Sequence, residues 1–107
     1  MAPNYGIVED VVRQYVADVR QTMPIDKAVL FGSYAKGTAT EHSDVDICFF
    51  SEDFKDKFSV DIVTDLLGIA RKYYRFCCLE PRVFPTSEIE RGNPFVKEVL
   101  STGREIT

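Results

Sequence analysis

No run of uncharged apolar residues among these 107 approaches the ~20 needed for a membrane-spanning helix. Between Met1 and Gln21 the chain carries Glu9, Asp10, Arg13, Asp18 and Arg20, which leaves no signal-peptide core. The expected setting is therefore cytoplasmic, with no membrane partner. Excess positive charge is also missing: 13 Lys and Arg stand against 17 Asp and Glu, a net charge of −4. A protein that wraps nucleic acid needs a concentrated basic face, so nucleic acid is not the expected partner. A nucleotide ligand stays open, because a divalent metal can supply the positive charge. Cysteine is sparse. Cys48, Cys77 and Cys78 are odd in number and lack CxxC spacing, which reads as reduced core thiols. Adjacent Cys77 and Cys78 would face opposite ways on a strand and so make a poor metal pair. Repeats, low-complexity stretches and linkers rich in Pro, Gly or Ser are absent. With 45% apolar and 28% charged residues the composition is that of an ordinary globular chain, which argues against disorder, and residues 1–107 are expected to form one domain with its own core.

Periodicity then organises what is present. Ile7, Val8, Val11, Val12, Tyr15, Val16 and Val19 fall on one helical stripe, and Pro24 closes that helix. Lys27 to Phe31 reads as a strand broken by Gly32-Ser33, followed by a short helical turn and a loop. Asp44 to Phe50 reads as a second strand, with Val45, Ile47 and Phe49 alternating against Asp44, Asp46, Cys48 and Phe50. A helix over about 60–74 has Ser59 as its expected N-cap. Its expected apolar face is Val63, Leu66, Leu67, Ala70, Tyr73 and Tyr74. A third strand is expected over 76–84, at a sheet edge or bulge because Pro81 lacks a ladder donor. Asn93 as cap, Pro94 in the first turn and Gly103 beyond the end mark the last helix, whose apolar face is Phe95, Val99 and Leu100. The expected class is α/β (α+β): a small sheet with helices on one face.

Chemistry concentrates in residues 32–46. Gly32 permits close backbone approach to a ligand, and the helix start beside Ser33 offers donors to phosphate oxygens. Asp44 and Asp46, two apart on a strand, would share one face with Cα atoms ~6–7 Å apart. Carboxylates that close prefer a shared cation, and hard oxygen donors select Mg²⁺ or Mn²⁺. A lone Gly-Ser is usually only a turn, and a lone Asp-x-Asp is usually a solvated strand edge. Here both occur in one short segment, and the acids open the apolar strand Ile47-Cys48-Phe49-Phe50. That combination equips a site for metal-assisted phosphoryl or nucleotidyl transfer. His42 reads as a solvated loop residue, and Lys36 as a solvent-facing one.

Gly32-Ser33, ten intervening residues, then Asp44-Val45-Asp46 resembles the signature of the DNA polymerase β-like nucleotidyltransferase superfamily. Ala35, Gly37 and Ser43 fit the extended motif, and the short chain resembles the minimal nucleotidyltransferase branch. The resemblance implies a mixed β-sheet flanked by helices and attack on the α-phosphate of a nucleoside triphosphate, with ATP the expected donor. It implies Gly32 and Ser33 as the nucleotide-binding turn, and Asp44 and Asp46 as ligands of two Mg²⁺ ions. A third carboxylate on the next strand would complete the metal site or act as base. Glu80 is the acid in that strand, one methylene longer than the usual Asp and followed by Pro81. Arg82 shares its face, so a surface pair is the competing explanation, and Glu88 and Glu90 are weaker substitutes. The implied acceptor surface comes from another protein or a second copy, by family habit a HEPN-type helical protein in a toxin–antitoxin pair. An aminoglycoside-like small molecule is the alternative acceptor, and a non-catalytic binding module with a degenerate metal site the alternative class.

Overall fold

A computed structural model describes residues 4–106. Helix α1 (Tyr5–Thr22) starts where Asn4 accepts the Ile7 amide and buries Val8, Val11, Val12, Tyr15, Val16 and Val19. That is the expected stripe less Ile7, which is 48% exposed at the helix start. β1 (Lys27–Phe31) runs into the four-residue helical turn α2 (Ser33–Lys36), which Gly37 closes in the left-handed conformation. β2 (Val45–Phe50) returns antiparallel to β1. A short 3-10 turn (Glu52–Asp56) leads to α3 (Ser59–Ala70), and a second (Arg71–Tyr73) extends it. α3 carries the chain across the sheet to β3 (Leu79–Phe84), parallel to β2. A one-turn helix α4 (Glu88–Arg91) precedes α5 (Pro94–Thr102), and β4 (Arg104–Glu105) pairs antiparallel with β1. The sheet order is β3-β2-β1-β4.

Helices cover both faces of this sheet, not one as the sequence pattern suggests. The side chains of Val45, Ile47 and Phe49 join α1 and α3 in the larger core. Cys48 and Phe50 point the other way, onto Val96 and Val99 of α5. β2 is thus buried on both faces at its far end, which explains its unbroken apolar run. α5 begins as read: the Asn93 side chain accepts from the Phe95 and Val96 amides, with Pro94 in the first turn. Its inward residues are Val96 and Val99, with Phe95 and Leu100 half-buried beside them.

Three expectations on the β3 side need correction. The cap of α3 is Phe58, not Ser59, and its buried face is Ile62, Leu66 and Ala70, continued by Tyr73. Leu67 and Tyr74 are 37% and 46% exposed, because the helix presents its other apolar side along the open edge of the sheet. Cys77 and Cys78 precede β3 rather than lie within it, and Cys78 is exposed. Pro81 does lie on an edge strand. The Val45 amide donates to the Cys78 carbonyl and the Ser51 amide to the Phe84 carbonyl. By the parallel alternation, Glu80 and Arg82 also bond β2, and Leu79, Pro81 and Val83 turn their backbone groups outward. Proline therefore sits where its missing N–H faces solvent.

α1 and α3 are joined by a polar tie whose pH dependence is predictable. The Tyr73 hydroxyl donates to Asp18 Oδ2, Lys72 Nζ lies 2.9 Å from the same oxygen, and Gln14 donates to Oδ1. The Tyr73 hydrogen bond, followed by those of Lys72 and Gln14, holds the Asp18 carboxyl below its usual range. Its stabilisation is complete above the ordinary carboxylate pKa and is lost as pH falls through the depressed folded value. Asp18→Asn should cost about 1–2 kcal/mol at pH 7 and progressively less below pH ~4. Urea denaturation of both proteins across that range checks it; a cost that persists unchanged at low pH would assign the loss to packing.

Candidate active site

Where β1 ends and β2 begins, the antiparallel register sets Phe31 opposite Asp46. Gly32 follows at φ 75° and ψ −154°, a region essentially confined to glycine. A Cβ built on it would stand 2.5 Å from Asp46 Oδ2. The glycine therefore does two things: it turns the chain into α2, and it leaves room for the Asp46 carboxylate against bare backbone. The Gly32 carbonyl accepts the Ala35 and Lys36 amides, and that of Ser33 accepts the Thr38 amide. Ser33 is half-buried at the first helical position.

Asp44 stands one residue before the paired strand, at the end of a loop closed by Ser43. Ser43 Oγ accepts the Thr40 amide at 2.9 Å, and the Ser43 amide donates back to the Thr40 carbonyl. This reciprocal pair gives Ser43 a local task in launching the acidic strand. Asp44 is exposed, Asp46 half-buried, and the parallel register sets Asp46 beside Glu80. Asp46, Cys48, Glu80 and Arg82 share the sheet face on which α5 packs. α5 covers Cys48 and Phe50 and leaves the acidic end of the strands open.

The electrostatics follow from that crowding. Burial pushes the Glu80 carboxyl up, and the charges of Asp44 and Asp46 push it further, with a hydrogen bond to Asp44 adding to the rise and Arg82 opposing it. Burial also raises Asp46, against the pull of Arg82, and Asp44 adds a smaller rise. The Arg82 guanidinium lies 6.0 Å from the centre of the Phe95 ring. The register and the hydrogen bond to Asp44 group Glu80 with the aspartates. Glu88 and Glu90 lie away, in α4, with Glu88 bridged to Arg91. His42 is in the exposed loop beside Glu41, and Lys36 pairs with Glu98 at 3.6 Å.

Among the described residues, no three His, Cys, Asp or Glu side chains stand ready-made as a metal cage. What the site supplies is a donor set: hard carboxylate oxygens on one sheet end, mutually destabilising when charged, beside a glycine whose missing Cβ leaves open space. Such donors fit Mg²⁺ held jointly with substrate phosphates. Cys78 is the residue that sequence reasoning missed. It is exposed at the residue level, and partial burial of its thiol, with the charge of Asp44 and a hydrogen bond to it, raises the thiol pKa. Only the parallel register of β3, which sets residue 78 beside the start of β2, could have signalled it.

The sequence pattern of the nucleotidyltransferase domain matches residues 12–103, from mid-α1 to the end of α5. The chain belongs to that nucleotidyltransferase family. Its substrate is accordingly a nucleotide, and the family generally employs divalent metals. A Methanocaldococcus jannaschii protein, named as a candidate protein adenylyltransferase, is 32% identical over 66 residues, spanning 58% of this chain and 67% of that one. The crystal structure of a candidate nucleotidyltransferase from Sulfolobus solfataricus superposes with a TM-score of 0.62. That match covers 81% of this chain and 75% of the other at 22% identity, and it carries the fold alone. Among the described residues no helix is long and apolar enough to cross a membrane.

Proposed function

We propose that this nucleotidyltransferase transfers AMP from ATP to a hydroxyl of a protein acceptor, with Mg²⁺ held by Asp44, Asp46 and Glu80. The observation that carries the proposal is the convergence of Gly32, Asp46 and Glu80 across three adjacent strands: the glycine lies against one carboxylate, and the register sets the other beside it. Gly32 and Ser33 offer backbone N–H groups and a hydroxyl to the β- and γ-phosphates. Two Mg²⁺ ions, when bound, would supply charge neutralisation at the triphosphate and polarise its α-phosphate. Glu80, whose pKa burial and its acidic neighbours raise, accepts the proton of the acceptor hydroxyl as oxygen attacks the α-phosphorus and pyrophosphate leaves. The name of the Methanocaldococcus relative supports a protein acceptor. The minimal-nucleotidyltransferase resemblance extends this to a HEPN-type helical partner in the cytoplasm, this chain being the antitoxin.

Calorimetric titration tests the reading. ATP should give heat with Mg²⁺ and little with chelator, because the uncompensated carboxylates repel a polyphosphate. Asp44→Asn/Asp46→Asn should abolish the difference. The double variant should melt no lower than wild type in chelator, since it removes neighbouring like charges at a strand start. Equal ATP affinity with and without metal, or in the double variant, contradicts the proposal.

A further inference from the structure

A groove of about 280 Å³ runs along the open edge of β3, walled by Val63, Leu67 and Tyr74 on one side and Leu79, Glu80 and Pro81 on the other. Ile62, Leu66 and Ala70 of α3 face the core, and beyond them exposed Leu67 and half-buried Val63 line this edge. Exposed apolar residues of this kind beside a candidate reaction centre mark a binding surface. The groove ends on the residue that faces Asp46 across the ladder, so whatever occupies it lies next to the proposed chemistry.

From these features we infer that the α3–β3 groove docks the acceptor, and that the acceptor is a polypeptide with an apolar side chain close in sequence to its reactive hydroxyl. This rests on the reading that Glu80 and the aspartates form the transfer site. Three observations select the occupant. The volume fits one large apolar or aromatic side chain. Glu80 and Arg82 are the charged residues among those lining the groove and offset one another, so its wall suits an uncharged side chain better than a polycation. Pro81 removes one of the outward donors of β3, which weakens strand addition at this edge and favours side-chain insertion. Geometry also sets a spacing. Leu79 and Pro81 turn to one sheet face and Glu80 to the other, so the acceptor chain must pass over the edge between anchor and hydroxyl. An extended chain covers ~7 Å in two residues, which places the anchor about two positions from the hydroxyl residue.

The test uses the full chain and two sets of synthetic heptapeptides. Each set has a central Ser, Thr or Tyr, with Leu or Phe two residues away in one set and Asp or Lys there in the other. With labelled ATP and Mg²⁺, the apolar set should be labelled at least ~10-fold faster, the scale on which an apolar pocket discriminates. In ¹⁵N-labelled protein without nucleotide, the same peptides should shift the amide signals of Leu67, Tyr74 and Glu80. Leu67→Glu, at an exposed position, should remove both the preference and the shifts while ATP–Mg²⁺ binding holds within about 2-fold. The inference is overturned by equal labelling of the two sets, by a preference that survives Leu67→Glu, or by faster labelling of an aminoglycoside. A wild-type chain that binds ATP–Mg²⁺ but labels no peptide and shows no shifts also overturns it. Loss of ATP–Mg²⁺ binding in wild type would instead overturn the reading of the transfer site.

Discussion

Gly32→Ala is expected to cut nucleotidyl transfer about 100-fold or more, the scale on which a displacement of ~1 Å at a reacting group acts. Two independent costs meet at this residue. Its backbone conformation is one that L side chains rarely adopt, which takes about 1–3 kcal/mol from stability. The new methyl would also stand 2.5 Å from Asp46 Oδ2, so either the carboxylate or the turn must move. Gly37→Ala is the matching control. Gly37 has φ 76°, but a Cβ there meets nothing within 4 Å. It should lose about 1–2 kcal/mol of stability and keep transfer within a few-fold of wild type. Denaturation curves and transfer rates on the two variants separate strain from displacement. Equal activity loss in both would show that turn strain alone matters, and that the approach of Gly32 to Asp46 does not.

Glu80→Gln should reduce transfer by at least ~100-fold, the lower range for losing a general base. The substitution keeps shape and hydrogen-bonding length but removes a charge and a proton acceptor. Binding of ATP–Mg²⁺ should fall less, because Asp44, Asp46 and the Gly32-Ser33 turn remain. Relief of like charge should leave the fold at least as stable, since Asp44 and Asp46 both push this carboxyl upward in pKa. The pH–rate profile provides a second readout: the acid limb set by Glu80 should disappear. A variant that transfers as well as wild type would reduce Glu80 to a neighbour of Arg82.

Much of the architecture is legible in the residues because local rules and tertiary packing agree there. β1 has the bounds its apolar run implies, and Asn93-Pro94 caps α5 as read. The acidic pair and the Gly-Ser turn are legible because they flank one short connection, in which Gly32 ends β1 and Asp44 precedes β2. Disagreement begins at the open edge. An apolar arc on α3 wider than its buried face gives no sequence clue to which part faces inward, so periodicity places Leu67 and Tyr74 on the core side while the fold buries Ile62. Cys78 likewise reads as a core thiol, because its exposure depends on where β3 begins. The two-residue β4 has too few residues to show a period, and it exists through pairing to β1. Gly103 is held by proximity rather than by a left-handed cap: a Cβ there would lie 2.5 Å from the Val99 carbonyl oxygen and 2.7 Å from that of Leu30. Glu80 is intermediate. Its strand was readable, but its place beside Asp46 needs the parallel register that α3 imposes.

The central claim is that Asp44, Asp46 and Glu80 together hold divalent metal with the triphosphate. Crystals grown with Mn²⁺ and a non-hydrolysable ATP analogue test it most directly, through the anomalous signal of the metal. The account predicts a manganese peak bridging Asp44 and Asp46, Glu80 coordinating it or hydrogen-bonded to its shell, and the β- and γ-phosphates against Gly32 and Ser33. A triphosphate bound elsewhere, or manganese bound without contact to either aspartate, would contradict it.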